Sequence, residues 1–158
     1  MHEGRAGYPS ALPGPLYCDT SALLKLYLRE AGSEEFNSLV EGRGDILVSD
    51  LTVTEVVSAL VRRSRQGDLG PDAVGRIRHA VARSLEDGTC QRVDLIPAVH
   101  RHAERLIVRL SEVSDISLRA GDALHLALAV SARAASFASF DRRLAAAARA
   151  VGLVTYPR

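Results

Sequence analysis

The chain has no tryptophan, a single lysine and no cysteines at metal-ligand spacing, and each shortage removes a class of reading. Aromatic residues are 4% of the chain against 47% hydrophobic, so the core has to be filled by Leu, Val, Ile and Ala. The same scarcity leaves little for stacking nucleic-acid bases. Cys18 and Cys90 form no motif and read as small buried thiols of a reducing compartment. No apolar run approaches the roughly 18 to 20 residues that a membrane span needs, so no membrane is expected. Residues 1–15 carry three Gly and three Pro and lack the apolar stretch of a signal peptide. They read as a flexible N-terminal extension, and the expected location is cytoplasmic. A net charge of +1 excludes a protein that binds polyanions with its whole surface. Lys25 is the lone lysine among 20 basic residues, and the rest are Arg. That bias reads first as coding preference, with forked recognition of phosphate as a supplement.

What is present fits one domain over 16–158, since 158 residues are enough to bury a real core. Short apolar strands alternate with longer amphipathic helices. Strands are expected over 16–19, 45–49, 91–95, 135–140 and 153–156. Helices are expected over 21–30, 33–41, 53–66, from Pro71, from Pro97, over 120–133 and over 142–151. The alternation implies an α/β fold with a parallel sheet covered on both faces. Ligands in such folds sit beyond the carboxyl ends of the strands.

Four acids fall at those ends. Asp19 closes the first strand, Glu55 lies early in the helix after the second, Asp122 opens the apolar helix near 120–133, and Asp141 follows the fourth strand. Each has a plainer use. Asp19 and Asp141 suit helix N-caps. Thr52 and Glu55 have capping-box spacing. Asp122 complements a helix dipole. Taken together, four carboxylates on one sheet edge would repel one another unless protonated or neutralised by a cation. Mg²⁺ favours such oxygen ligands, and a cation held there activates water for attack on a phosphodiester.

The order Cys18-Asp19-Thr20-Ser21-Ala22-Leu23, then Thr52-Val53-Thr54-Glu55, then Gly121-Asp122-Ala123-Leu124-His125-Leu126-Ala127, then Ser139-Phe140-Asp141 resembles the PIN-domain family. The size and layout are most similar to its VapC-type toxin ribonucleases. The resemblance implies a three-layer α/β/α sandwich with a central parallel sheet. It also implies an endoribonuclease using Mg²⁺ or Mn²⁺, with Asp19, Glu55 and Asp122 as the central acids and Asp141 as the fourth. Ser139 fills the slot two residues before that acid. An RNA substrate, a cognate antitoxin and a homodimer are further implications. An inert RNA-binding module of the same fold and a housekeeping RNA-processing nuclease stay open. A haloacid-dehalogenase-like phosphatase does not fit, because Ser21 stands where it needs a second Asp and no late lysine exists.

Several residues have supporting roles to fill. Thr20 and Ser21 could bond Asp19 or waters on a metal. His125, one turn after Asp122, could be hydrogen-bonded core or could orient Asp122. Asp115 lies in the loop before that helix. Setting the four acids aside leaves +5 on the rest of the chain. Arg62, Arg63 and Arg65 form one candidate phosphate-binding group, and Arg101, Arg105 and Arg109 another.

Overall fold

The computed structural model describes residues 12–158. Among them the elements run β1 (Leu16–Cys18), α1 (Thr20–Tyr27), α2 (Ser33–Val40), β2 (Ile46–Ser49), α3 (Asp50–Arg65), α4 (Ala73–Glu86) and β3 (Cys90–Val93). They continue with α5 (Pro97–Val113), α6 (Ala120–Ser131), β4 (Ser136–Ala138), α7 (Arg142–Ala150) and β5 (Val154–Tyr156). The strands form one parallel sheet in the order β3-β2-β1-β4-β5.

Parallel strands buried on both faces read as unbroken apolar runs, and β1, β2 and β4 are buried throughout. Alternate side chains serve opposite layers. Leu16, Cys18, Ile46, Val48 and Ala138 join the core built with α1 to α4. Tyr17, Leu47 and Phe137 join the core built with α5, α6 and α7. The result is the expected three-layer α/β/α sandwich. Strand order reverses at β1, which pairs with β2 on one side and β4 on the other. The carboxyl ends around that reversal are the natural binding edge.

The structure moves some expected boundaries. Helix α3 begins at Asp50, three residues before the expected start, because Ser49 caps it by accepting from the Thr52 N–H at 3.1 Å. Glu55 therefore lies in the second turn, and its capping-box role with Thr52 is overturned. Pro71 sits in the turn before α4 rather than at its first position. Pro97, by contrast, does open α5. Residues 12–15 belong to the folded domain. Leu12 packs on the first core, and its carbonyl accepts from Arg43 at 2.9 Å. The Pro15 carbonyl accepts from Ala135 at 2.9 Å. The remainder of the expected extension, residues 1–11, lies outside the described residues.

Candidate active site

The polar groups at this edge fall into two hydrogen-bonded sets, one on each side of β1. On the β4 side Asp19 is buried, 3% exposed, and caps α1. Its Oδ1 accepts from the Ala22 N–H at 2.9 Å and the Ser21 hydroxyl at 2.7 Å. Ser21 Oγ accepts in turn from the Phe140 N–H at 2.8 Å, so one hydroxyl ties the end of β1 to the end of β4. Ser139 also bonds the Asp19 carboxylate, and its Oγ accepts from the Asp141 N–H at 3.1 Å. Burial pushes the Asp19 carboxyl above its ordinary range, and the bonds from Ser139, Ala22 and Ser21 pull partly the other way. Asp141 is exposed and caps α7, with Oδ1 accepting from the Arg143 and Leu144 N–H groups at 2.8 and 3.2 Å. These backbone caps engage Oδ1, so capping and metal ligation are compatible uses of the same residues.

The set on the β2 side is built over longer spans of chain. Glu55 Oε2 accepts from the Thr20 hydroxyl and lies 2.7 Å from His125 Nε2. His125 Nδ1 is 2.9 Å from the Tyr17 hydroxyl. Tyr17 donates to Ser49 Oγ at 2.8 Å, and Ser49 meets Thr52 Oγ1 at 2.9 Å. Thr52 Oγ1 donates to the Cys18 carbonyl at 3.3 Å. The hydrogen bond with His125 is the main reason the Glu55 carboxyl lies below its usual range, although burial opposes it. Thr20, one of whose expected uses was to bond Asp19, bonds Glu55. His125, one of whose expected uses was to orient Asp122, bonds Glu55 and the core. Sequence reading missed Tyr17, Ser49 and Thr52 as members of the site. Their signal was small polar groups within an apolar strand and at a helix start.

Asp122 is half-buried in the first turn of α6, three residues before His125. Beside it, a Cβ on Gly121 would come within 3.3 Å of Glu55 Oε1. The missing side chain at Gly121 thus lets α6 approach Glu55 closely. The link from Asp19 through Thr20 to Glu55, and from Glu55 to the start of α6, brings the neighbourhoods of three acids to one edge. The tight four-carboxylate cluster suggested by the sequence is not formed. Among the described residues no three His, Cys, Asp or Glu side chains make a ready metal cage. Asp19, Glu55 and Asp141 are instead turned to protein donors, as expected of mutually repelling carboxylates. In kind, the donor set suits a hard divalent cation: carboxylate oxygens without thiolate.

Asp115 is exposed in the loop before α6. Arg62, Arg63 and Arg65 lie in the last turn of α3. Arg62 is about 18 Å along the helix axis from the end that meets the edge. Arg63 is paired with Glu30 at 2.9 Å. Arg119, Arg142 and Arg143 are better placed, being exposed and within three residues of Asp122 or Asp141. Sequence adjacency to those acids was the available signal.

An α/β/α domain with acids at the switch point of a parallel sheet is therefore the class that fold and site define. The PIN domain family model matches residues 16–150. The chain is 34% identical over 146 residues to Ribonuclease VapC45 of Mycobacterium tuberculosis strain CDC 1551 / Oshkosh, covering 90% of this chain and 94% of that protein. The same figures hold for Ribonuclease VapC49 of Mycobacterium tuberculosis strain H37Rv. The crystal structure of Mycobacterium tuberculosis VapC20, a Sarcin-Ricin loop cleaving toxin, aligns with a TM-score of 0.65 at 19% identity, over 89% of this chain and 97% of that one. The chain belongs to the PIN-domain family, among its VapC ribonucleases.

Proposed function

We propose that this chain is a metal-dependent endoribonuclease that hydrolyses RNA phosphodiesters and acts as the toxin of a type II toxin–antitoxin pair. One observation carries the reading. The stretch matched by the family model, 16–150, contains Asp19 just after β1, Glu55 in the second turn of α3, Asp122 in the first turn of α6 and Asp141 at the N-cap of α7. These four residues would hold Mg²⁺ or Mn²⁺. When bound, such a cation lowers the pKa of a coordinated water and offsets charge at the phosphodiester.

The chain's own groups have distinct work. Ser21 and Ser139 fix the Asp19 carboxylate, whose burial makes it ready to gain from a positive partner. Thr20 holds Glu55 beside the start of α6. Arg119, Arg142 and Arg143 supply positive charge next to the acids, where an RNA backbone would pass. Arg62 and Arg65 would meet RNA only if it extended along α3.

A cognate antitoxin and a second copy of the chain are the proposed protein partners. Val108 and Val113 on α5, 56% and 70% exposed, are apolar surface that such a partner would cover. No helix among the described residues is long and apolar enough to cross a membrane. The proposed location is the cytoplasm, where RNA and antitoxin are both available.

The test is RNA cleavage by wild type and Asp19→Asn, with Mg²⁺ or Mn²⁺ and with chelator. Cleavage that needs the ion and falls at least about 100-fold in the variant supports the reading. Equal cleavage by both proteins overturns it, and no cleavage of any RNA by folded wild type favours an inert module. Growth arrest on expression, relieved by a neighbouring DNA-binding protein, separates a toxin from a housekeeping nuclease.

A further inference from the structure

We propose that His125 is a positioning residue for the acid site: its Nε2 fixes the Glu55 carboxylate, and a buried string of hydroxyls beneath it fixes the imidazole. The inference rests on the reading of Glu55 as a metal-holding acid.

The direction of the string follows from its last member. The Cys18 carbonyl can only accept, so Thr52 donates to it. Ser49 then donates to Thr52, and Tyr17 donates its one hydrogen to Ser49. The Tyr17 oxygen is left as an acceptor, which makes His125 Nδ1–H the donor across 2.9 Å. At the other end of the ring, 2.7 Å separates Nε2 from Glu55 Oε2, and a hydrogen has to lie between them. Every hydroxyl of the string, and Nδ1 of the ring, thus has a single assigned role. Tyr17, Ser49 and Thr52 are fully buried, and His125 is 3% exposed. Among the described residues no buried side-chain polar atom is left without a partner. A satisfied network in a low-dielectric interior is stiff, because breaking any bond strands a buried group.

The string ends on a carboxylate that is itself not buried. The Glu55 side chain is 37% exposed, against 4% for His125. A core histidine serving packing alone could have finished its hydrogen bonding on a buried partner. This one instead reaches out to the site's edge and restrains a long side chain that would otherwise sample several rotamers. Groups that bond a ligating carboxylate from behind typically change metal affinity by roughly 10- to 100-fold when removed.

Two substitutions separate positioning from packing. His125→Asn keeps a donor at the place of Nδ1 for Tyr17 but cannot reach Glu55. His125→Gln puts a donor near the place of Nε2. Calorimetric titration with Mn²⁺ reads affinity, and thermal melts of the same proteins read the fold. The expected result is roughly 10- to 100-fold weaker Mn²⁺ binding for His125→Asn and near-wild-type binding for His125→Gln. Equal Mn²⁺ affinity for wild type and His125→Asn overturns the proposal. Should His125→Asn not fold, Tyr17→Phe carries the test, because it cuts the string below the ring. It should weaken Mn²⁺ binding by a few-fold, and unchanged affinity overturns the proposal. Asp19→Asn keeps the two readings apart. Wild type that binds no Mn²⁺, or Asp19→Asn that binds it as wild type does, removes the metal reading and His125's role with it. Binding lost in Asp19→Asn but untouched in His125→Asn removes only the role of His125.

Discussion

The two sides of β1 hold their acids by different means. On the β4 side, Asp19 and Asp141 are held chiefly by near neighbours, hydroxyls two residues away and the first N–H groups of the helices they cap, with Ser139 on Asp19 and the Phe140 N–H on Ser21 as the long-range links. On the β2 side, Glu55 is fixed by Thr20, 35 residues away, and by His125, 70 residues away. The first arrangement is mostly local and partly open to water. The second is assembled only when three distant segments have packed. Damage to the β4 side should therefore be confined, and damage to the β2 side should spread through the fold.

The strongest way to break that contrast is Tyr17→Ala. Tyr17 is fully buried, stacks on Phe137 at 5.3 Å between ring centres, and links β1 to β2 and α6. Its truncation should cost about 3–5 kcal/mol in urea unfolding, the scale of losing a large buried aromatic side chain. A loss under about 1 kcal/mol would mean that the two sides of β1 are equally local. Ser21→Ala on the β4 side should cost about 1–3 kcal/mol by the same measurement, since it removes two hydrogen bonds, one to Asp19 and one from the Phe140 N–H.

Titration sharpens the comparison, because the two acids respond to pH with opposite sign. Burial raises the Asp19 carboxyl above its unfolded value, so its contribution to stability is full at low pH and is lost as pH rises through the folded pKa. The bond from His125 lowers Glu55, so its contribution is present above the unfolded pKa and is lost as pH falls through the folded one. In metal-free buffer at pH 7, Asp19→Asn should be more stable than wild type and Glu55→Gln less stable. Both differences should shrink toward pH 3, and the same sign for both variants would defeat the account. Smallest of all is Gly121→Ala. A helical Ala gains up to about 1 kcal/mol over Gly, but the added carbon must push Glu55 by a few tenths of an ångström. A slightly higher melting temperature with weaker Mn²⁺ binding is the expected pair of results.

The same contrast explains what the sequence disclosed. Asp19 and Asp141 could be read as caps because a cap is written in a few consecutive residues, and both do cap. Pro97 marked the start of α5 for the same reason. The parallel sheet was legible because strands covered on both faces leave unbroken apolar runs. The start of α3 was misplaced because Ser49 and Thr52 are both plausible caps in isolation. The choice depends on where β2 lets go of the sheet. The bond between His125 and Glu55 was missed because no local rule connects residues 70 positions apart. The expected carboxylate cluster was overdrawn for a physical reason: acids placed on one edge turn to nearby donors.

Diffraction from Mn²⁺-soaked crystals at the manganese absorption edge tests most directly whether these acids share a cation. The account predicts one strong anomalous peak within ligand distance of Asp19 and Asp122, with Glu55 still bonded to His125. A peak elsewhere on the molecule, or none at saturating Mn²⁺, would contradict it.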